Sequence, residues 1–281
     1  MPLPTDHASI QTPVNSSVAG ADSGVSDEHL LNGVANSTSV SPPRWLTEID
    51  SSSFGGHAHR LPASTRIIKR LTDILVASGL LLVATPVMLL AAMAIKCNSP
   101  GPVVFTQTRV GLNNRRDSGR RASWLPIPIC RRRKSNYGRP FTIFKLRTMH
   151  VEASSNGPTQ TQKQDARIFP VGRLLRRMRI DELPQLLNVL RGEMSMVGPR
   201  PECIEYMEDL SAKVPNYLER LGLKPGLTGI AQIESGYAND LESYRRKVTL
   251  DLLYLQNCCP WNDLKIMVRT GRVIFSGFGA L

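Results

Sequence analysis

The chain has 281 residues, 35 lysines and arginines against 23 aspartates and glutamates, and a formal net charge of +12. That length holds one ordinary domain with accessory segments, and the basic balance favours anionic partners: nucleic acid, an anionic membrane leaflet or phosphorylated substrates. Five cysteines without a C-x-x-C pair argue against a disulfide framework and a zinc site, and His150, the one histidine beyond residue 60, leaves histidine-based catalysis few candidates.

Residues 1–60 carry six acids (Asp6, Asp22, Asp27, Glu28, Glu48, Asp50) and two arginines (Arg44, Arg60), about −4, so the remainder carries about +16. This stretch is rich in Ser, Gly, Ala, Asn and Pro and lacks apolar periodicity. It cannot bury enough surface to offset its chain entropy and reads as a disordered tail. It does not have the form of a secretory signal peptide.

Ile74 to Ile95 follows as 22 residues without a charge. A straight helix of that length reaches about 33 Å, enough to cross a bilayer. Pro86 removes a backbone donor past its middle, and the Thr85 hydroxyl beside it can bond a freed carbonyl. Arg66, Lys69 and Arg70 precede the segment, and Lys96 and Arg109 follow it, so the positive-inside rule pulls both ends to the cytoplasmic side. The residues alone leave open a full crossing, a re-entrant hairpin and a buried soluble helix.

A β-hairpin or small sheet is expected next, from Val103–Phe105 and Phe141–Phe144. Between the arms lies a basic loop, Asn113 to Tyr137, with eight arginines and lysines, one acid (Asp117), and Trp124, Leu125, Ile127 and Ile129 in its middle. A solvated insertion, a headgroup-binding loop and nucleic-acid contact all fit its composition. Residues 171–190 read as two helices, the first with Leu174, Leu175 and Met178 on one side. The second starts near Asp181 or Glu182, because Pro184 is tolerated only in a first turn. Lys224 to Gly229 is a turn-rich loop, residues 240–256 form a helix, and Trp261 to Phe275 is a final amphipathic stretch.

Chemistry concentrates at Asp181 and Glu182, adjacent acids at a helix N-terminus with Arg176, Arg177 and Arg179 just before them. An N-cap with exposed ion pairs fits this pattern, and so does an anionic nucleophile with a second acid able to hold Mg²⁺. Dipole and guanidinium groups there favour a carboxylate of low pKa. Val197-Gly198-Pro199-Arg200-Pro201 presents Arg200 from a rigid turn, which suits a diphosphate. Lys145 and Arg147 end the second strand as further cations. No P-loop, G-x-G-x-x-G, H-E-x-x-H or G-x-S-x-G is present.

Five motifs then occur in order: a KR-x-x-D start (Lys69, Arg70, Asp73) to the Pro-broken segment, P-G-P-V-x-F-x-Q-x-R-x-G (Pro100 to Gly111), F-K-x-R-T-M (Phe144 to Met149), D-E-L-P-Q-L-x-N-V-L-R-G-x-M-S-x-V-G-P-R-P (Asp181 to Pro201) and K-P-G-L-T-G-x-A-Q (Lys224 to Gln232). Together they resemble the bacterial sugar transferases that are monotopic polyprenyl-phosphate phosphoglycosyl transferases, of the short exopolysaccharide type. The resemblance covers about residues 64–281. It implies a mostly α chain with a small β-hairpin (α+β), with a re-entrant membrane helix–break–helix and amphipathic interfacial helices around a cytoplasmic catalytic core. The parts are a disordered tail (1–60), the membrane hairpin (64–98) with its break at Thr85–Pro86, and a catalytic domain (99–281) carrying the basic insertion 113–137.

The implied reaction moves a sugar-1-phosphate from a UDP-sugar to undecaprenyl phosphate and releases UMP, at the start of exopolysaccharide or related glycan assembly. Asp181 would be the nucleophile that forms a phosphosugar intermediate. Glu182 would assist it, and Mg²⁺ would sit at Asp181 and Glu182. Lys145, Arg147, Arg176, Arg200 and Gln232 fall on substrate-binding positions. The partners are the UDP-sugar, undecaprenyl phosphate and membrane lipids, with self-association compatible and nucleic acid unsupported. The implied site is the bacterial inner membrane, with the catalytic domain facing the cytoplasm. Thr85-Pro86 replaces the usual Ser-Pro, and the insertion departs from the usual short linker. The sugar identity is not legible. The competing expectation is a membrane-anchored, non-catalytic member of a glycan assembly complex.

Overall fold

The computed structural model describes residues 42–48, 61–112, 137–150, 165–235 and 240–276. The rest of the tail, and the basic insertion up to residue 136, lie outside the described residues. The chain is mostly helical with two small sheets, as expected.

Helix α1 (Ala63–Asn98) holds the apolar segment. Its buried positions are Lys69, Asp73, Ala77, Ala84, Ala91 and Ile95. Spacings of four and seven put them on one stripe. The rest of its middle is bare hydrocarbon: Leu75, Leu82 and Val83 are each more than 70% exposed. A continuous apolar surface of this kind is not left facing water, and the helix is long and apolar enough to cross a membrane. The expected helix–break–helix is corrected in one respect, because the helix continues through Thr85 and Pro86. Proline deletes a single donor, and Thr85 Oγ1 donates to the Leu81 carbonyl at 2.7 Å, so the loss stays local.

Both ends of α1 are fastened to the same body. At the first, Lys69 Nζ donates to the Val197 carbonyl (3.0 Å), the Tyr254 hydroxyl (2.9 Å) and Asp263 Oδ2 (2.6 Å). Arg70 donates to the carbonyls of Val189 and Leu190, and Asp73 Oδ1 accepts from Ser195 Oγ and the Met196 N–H. At the second end, Ala91 and Ile95 pack with Leu146, Phe169 and Leu175.

Strands β1 (Val104–Val110) and β2 (Pro140–Leu146) pair antiparallel, Val104 opposite Leu146 and Val110 opposite Pro140. The expected hairpin is present and longer than its sequence arms suggested. Helix α2 (Pro170–Arg177) starts on proline, whose missing N–H costs nothing there. Its inward residue is Leu175, whereas Leu174 and Met178 are about half exposed rather than sharing Leu175's side.

A 3₁₀ turn, Ile180–Gln185, leads into α3 (Leu186–Arg191). Pro184 removes the donor that a full α-turn starting at Ile180 would need, which gives tighter winding before Leu186. Strand β3 (Ser195–Val197) pairs in parallel with β4 (Gly226–Thr228). This sheet was unexpected, since Val197 opens the segment read as a rigid turn and Gly226–Thr228 lies inside the turn-rich loop. Helices α4 (Ile204–Lys213), α5 (Ile230–Glu234), α6 (Leu241–Gln256) and α7 (Pro260–Ser276) complete the body. Its main core includes Leu186, Val189, Met194, Met207, Tyr217, Ile230, Leu250 and Ile266.

One stretch of the tail contradicts the expected disorder. Residues 42–48 lie docked on the body, with Leu46 buried in the main core.

Candidate active site

The site forms where the 3₁₀ turn meets β2 and the β3–β4 edge. Along β2, Phe141, Ile143 and Lys145 alternate onto one face, so period-two geometry carries the Lys145 ammonium in beside two buried apolar residues. Asn188, fully buried at the start of α3, locks this strand to the turn. Its Nδ2 donates to the Thr142 carbonyl at 2.7 Å, and its Oδ1 accepts from the Phe144 N–H at 3.3 Å.

Arg179 precedes the turn in the left-handed region (φ 59°, ψ 16°), an uncommon conformation for a side chain of its size. Its carbonyl accepts from the Glu182 N–H at 3.2 Å, which winds the two acids into the protein. Asp181 and Glu182 are 7% and 8% exposed, so the exposed ion-pair cap is excluded.

Arg200 comes from the turn after β3. Glycine allows this approach: a Cβ on Gly226 would stand 2.1 Å from the Gly198 nitrogen, and one on Gly198 2.3 Å from the Lys224 carbonyl oxygen. Behind the turn, Arg220 donates to the Arg200 carbonyl at 3.1 Å and pairs with buried Asp251 at 2.8 Å.

Glu182 is the hub. Its Oε1 accepts from Lys145 Nζ at 2.8 Å and Arg200 Nη2 at 3.0 Å, and Arg179 Nη1 lies 3.6 Å from its Oε2. Arg200 Nη1 reaches Gln232 Oε1 at 3.4 Å. An open, shallow cleft is lined by Arg109, Lys145, Glu182, Gln185, Arg200 and Pro201, among others.

The two acids have opposite electrostatics. Burial raises the Asp181 carboxyl to about 6, with the Glu182 charge beside it adding to the rise and Lys145, Arg176 and Arg179 only partly opposing it. Burial also opposes ionisation of Glu182, but Lys145, Arg200 and Arg179 outweigh it and hold that carboxyl well below the usual range. Lys145 is itself lowered, by burial and by Arg200. The low pKa expected of Asp181 therefore belongs to its neighbour, because Glu182 makes the ion pairs.

Lys145, Arg200 and Gln232 converge with the acids. Arg176 bears on Asp181 electrostatically while its Nε donates to Thr148 Oγ1 at 2.7 Å. Arg147 does not join them. It is buried, and it donates to Ser99 Oγ, the Ser99 carbonyl and the Pro100 carbonyl, where it secures the turn that follows α1. Its assignment to substrate is corrected accordingly.

Arg109 and Gln185 line the cleft although the site reading had passed over them. Both stand inside the motif runs, so the runs were the available clue. For a metal, no cluster of three or more His, Cys, Asp or Glu side chains forms among the described residues. Glu182 is engaged by cations through both oxygens, whereas Asp181 makes no salt bridge among the described residues. One carboxylate completed by substrate phosphates and water is an ordinary Mg²⁺ donor set.

With this geometry in hand, the relatives are informative. A sequence profile for the family described as bacterial sugar transferase matches residues 64–117 and 120–277. The UDP-glucose:undecaprenyl-phosphate glucose-1-phosphate transferase of Caulobacter vibrioides is 42% identical over 77% of this chain and 72% of its own length. A UDP-N-acetylgalactosamine-undecaprenyl-phosphate N-acetylgalactosaminephosphotransferase of Aeromonas hydrophila is 38% identical over 76% of this chain, which spans only 45% of it. The exopolysaccharide production protein PSS of Rhizobium leguminosarum bv. phaseoli is 37% identical over 73% of this chain and 93% of its own.

Proposed function

The chain belongs to the bacterial sugar transferase family, and on that premise we propose that it transfers a sugar-1-phosphate from a UDP-sugar to undecaprenyl phosphate. The observation that carries the proposal is the asymmetric acid pair: Glu182 lines a cationic cleft and is neutralised by three cations, while Asp181 beside it makes no ion pair among the described residues.

Asp181 attacks the β-phosphorus of the UDP-sugar, and the bond from that phosphorus to the bridging oxygen breaks as UMP leaves with the electron pair. A phosphate oxygen of undecaprenyl phosphate then attacks the phosphosugar on Asp181, giving the sugar on a lipid diphosphate and restoring the carboxylate. Glu182 fixes Lys145 and Arg200, and those cations with Arg109 bind the diphosphate oxygens. Asp181 would hold Mg²⁺, which supplies Lewis-acid neutralisation of the diphosphate when bound. A carboxylate with a pKa of about 6 is ionised at neutral pH yet basic enough to attack without a general base.

We further propose that α1, bent at Pro86 with its helical winding kept, enters and leaves one leaflet at the bacterial inner membrane, with the body on the cytoplasmic side. Lys69 and Ile95 are both fastened to one body, which cannot lie on two sides of a bilayer. Trp261, Leu264 and Val268 on α7 are exposed on a common side and supply an interfacial contact. Glucose, named for the Caulobacter relative, is the first sugar to try, and exopolysaccharide assembly is the proposed pathway.

The test is UMP release from UDP-sugars by the purified chain with undecaprenyl phosphate and Mg²⁺, followed by capture of a phosphosugar on Asp181. Full turnover by Asp181→Asn would remove the nucleophile from the scheme.

A further inference from the structure

Residues 42–48 precede the family match, which starts at residue 64, yet they are built into the body. Trp45 Nε1 donates to Glu234 Oε1 at 3.0 Å on α5. The Thr47 N–H donates to Asn262 Oδ1 at 3.0 Å, and Asn262 Nδ2 returns a bond to the Thr47 carbonyl at 2.8 Å. Lys265 Nζ donates to the Trp45 carbonyl at 2.9 Å and to Thr47 Oγ1 at 2.7 Å, and the Arg269 guanidinium lies 4.3 Å from the Trp45 ring centroid. Asn262, Lys265 and Arg269 are one stripe of α7, so the segment bridges two helices.

α5 has five residues, too few to be stable by its own hydrogen bonds. It carries Gln232, the partner of Arg200, and two residues later Glu234, the partner of Trp45. A separation of two turns a helix by about 200°, so Trp45 holds the side of α5 opposite the active site. We infer that Pro42–Glu48 is an intramolecular strap that positions the Gln232–Arg200 edge of the active site, with Trp45 as the positioning residue acting through Glu234. The inference rests on the transferase reading only for its effect on turnover.

The experiment uses the full chain in lipid nanodiscs as wild type, Trp45→Ala, Trp45→Phe and Glu234→Ala. UMP release gives KM for the UDP-sugar and kcat, amide exchange over residues 229–234 reports on α5, and thermal unfolding reports stability. Trp45→Ala and Glu234→Ala should each raise KM roughly fivefold with kcat nearly unchanged, and the double variant should be no worse than Trp45→Ala. Exchange in α5 should quicken in both, with α2 unchanged as control. Trp45→Phe keeps ring packing and loses the N–H, so it should recover thermal stability while KM stays high. Unchanged KM and α5 exchange in Glu234→Ala, or a Trp45→Ala effect confined to melting temperature, would overturn the strap. Absence of UMP release from wild type, with α5 exchange still dependent on Trp45, would overturn the transferase reading and leave the strap standing.

Discussion

Two buried charge clusters of this protein face opposite fates. Around Lys69, every charge is answered: Asp263 at 2.6 Å, the Tyr254 hydroxyl and the Val197 carbonyl saturate the ammonium. Around Glu182, three cations converge on one carboxylate, Asp181 is buried and makes no ion pair among the described residues, and the cluster opens to a cleft. The closed cluster holds the apolar helix α1 to the rest of the body. The open one has cationic capacity left for a ligand. Saturation therefore separates architecture from chemistry better than burial does, because both clusters are buried.

The sharpest break of this comparison is Asp181→Asn. It should reduce UMP release by roughly 10³-fold or more, measured at saturating UDP-sugar. The same substitution should stabilise the fold. Asp181 titrates at about 6 when folded against 3.8 unfolded, so its proton favours the folded state below pH 3.8 and that advantage is lost as pH rises through about 6. Thermal melts should show the variant gaining on wild type at pH 7.5 relative to pH 4, by on the order of 3 kcal/mol.

The closed cluster should respond in the reverse sense. Lys69→Ala leaves Asp263 buried without its cation and should cost about 3–5 kcal/mol, read by denaturant unfolding in micelles. Paired replacement, Lys69→Met with Asp263→Leu, should recover much of that loss. A Lys69→Ala protein with wild-type stability would remove the distinction between the clusters.

A smaller effect is expected at Arg200→Lys, which keeps the charge and loses the fork that spans Glu182 and Gln232. KM for the UDP-sugar should rise roughly 10- to 100-fold, with stability little changed. Milder still, kcat/KM should fall about tenfold for each pH unit below about 6, as Asp181 takes up its proton. Activity level down to pH 4.5 would mean that Asp181 is not the titrating nucleophile.

Much of the site was legible in the chain. The motif runs named Asp181, Glu182, Lys145, Arg200 and Gln232, whereas the placement of Lys145 beside the buried Phe141 and Ile143 emerged only with the structure. Arg147 was misread because two residues along an ideal strand share a face, whereas β2 ends at Leu146 and Arg147 serves the turn at Ser99 instead. The parallel β3–β4 pair was hidden because short proline-flanked strands carry no periodicity of their own.

The sequence by itself determined the apolar segment, the paired strands, the later helices and the identity of the two acids. These rest on local pattern, which short-range sterics and burial translate directly into structure. Only the tertiary structure decided which acid is neutralised, that α1 runs unbroken through Pro86, and that a piece of the tail is strapped to α5 and α7. Coulomb and hydrogen-bond energies depend on distances between residues far apart in the chain, such as Glu182 and Lys145 or Trp45 and Glu234, and folding alone sets those distances.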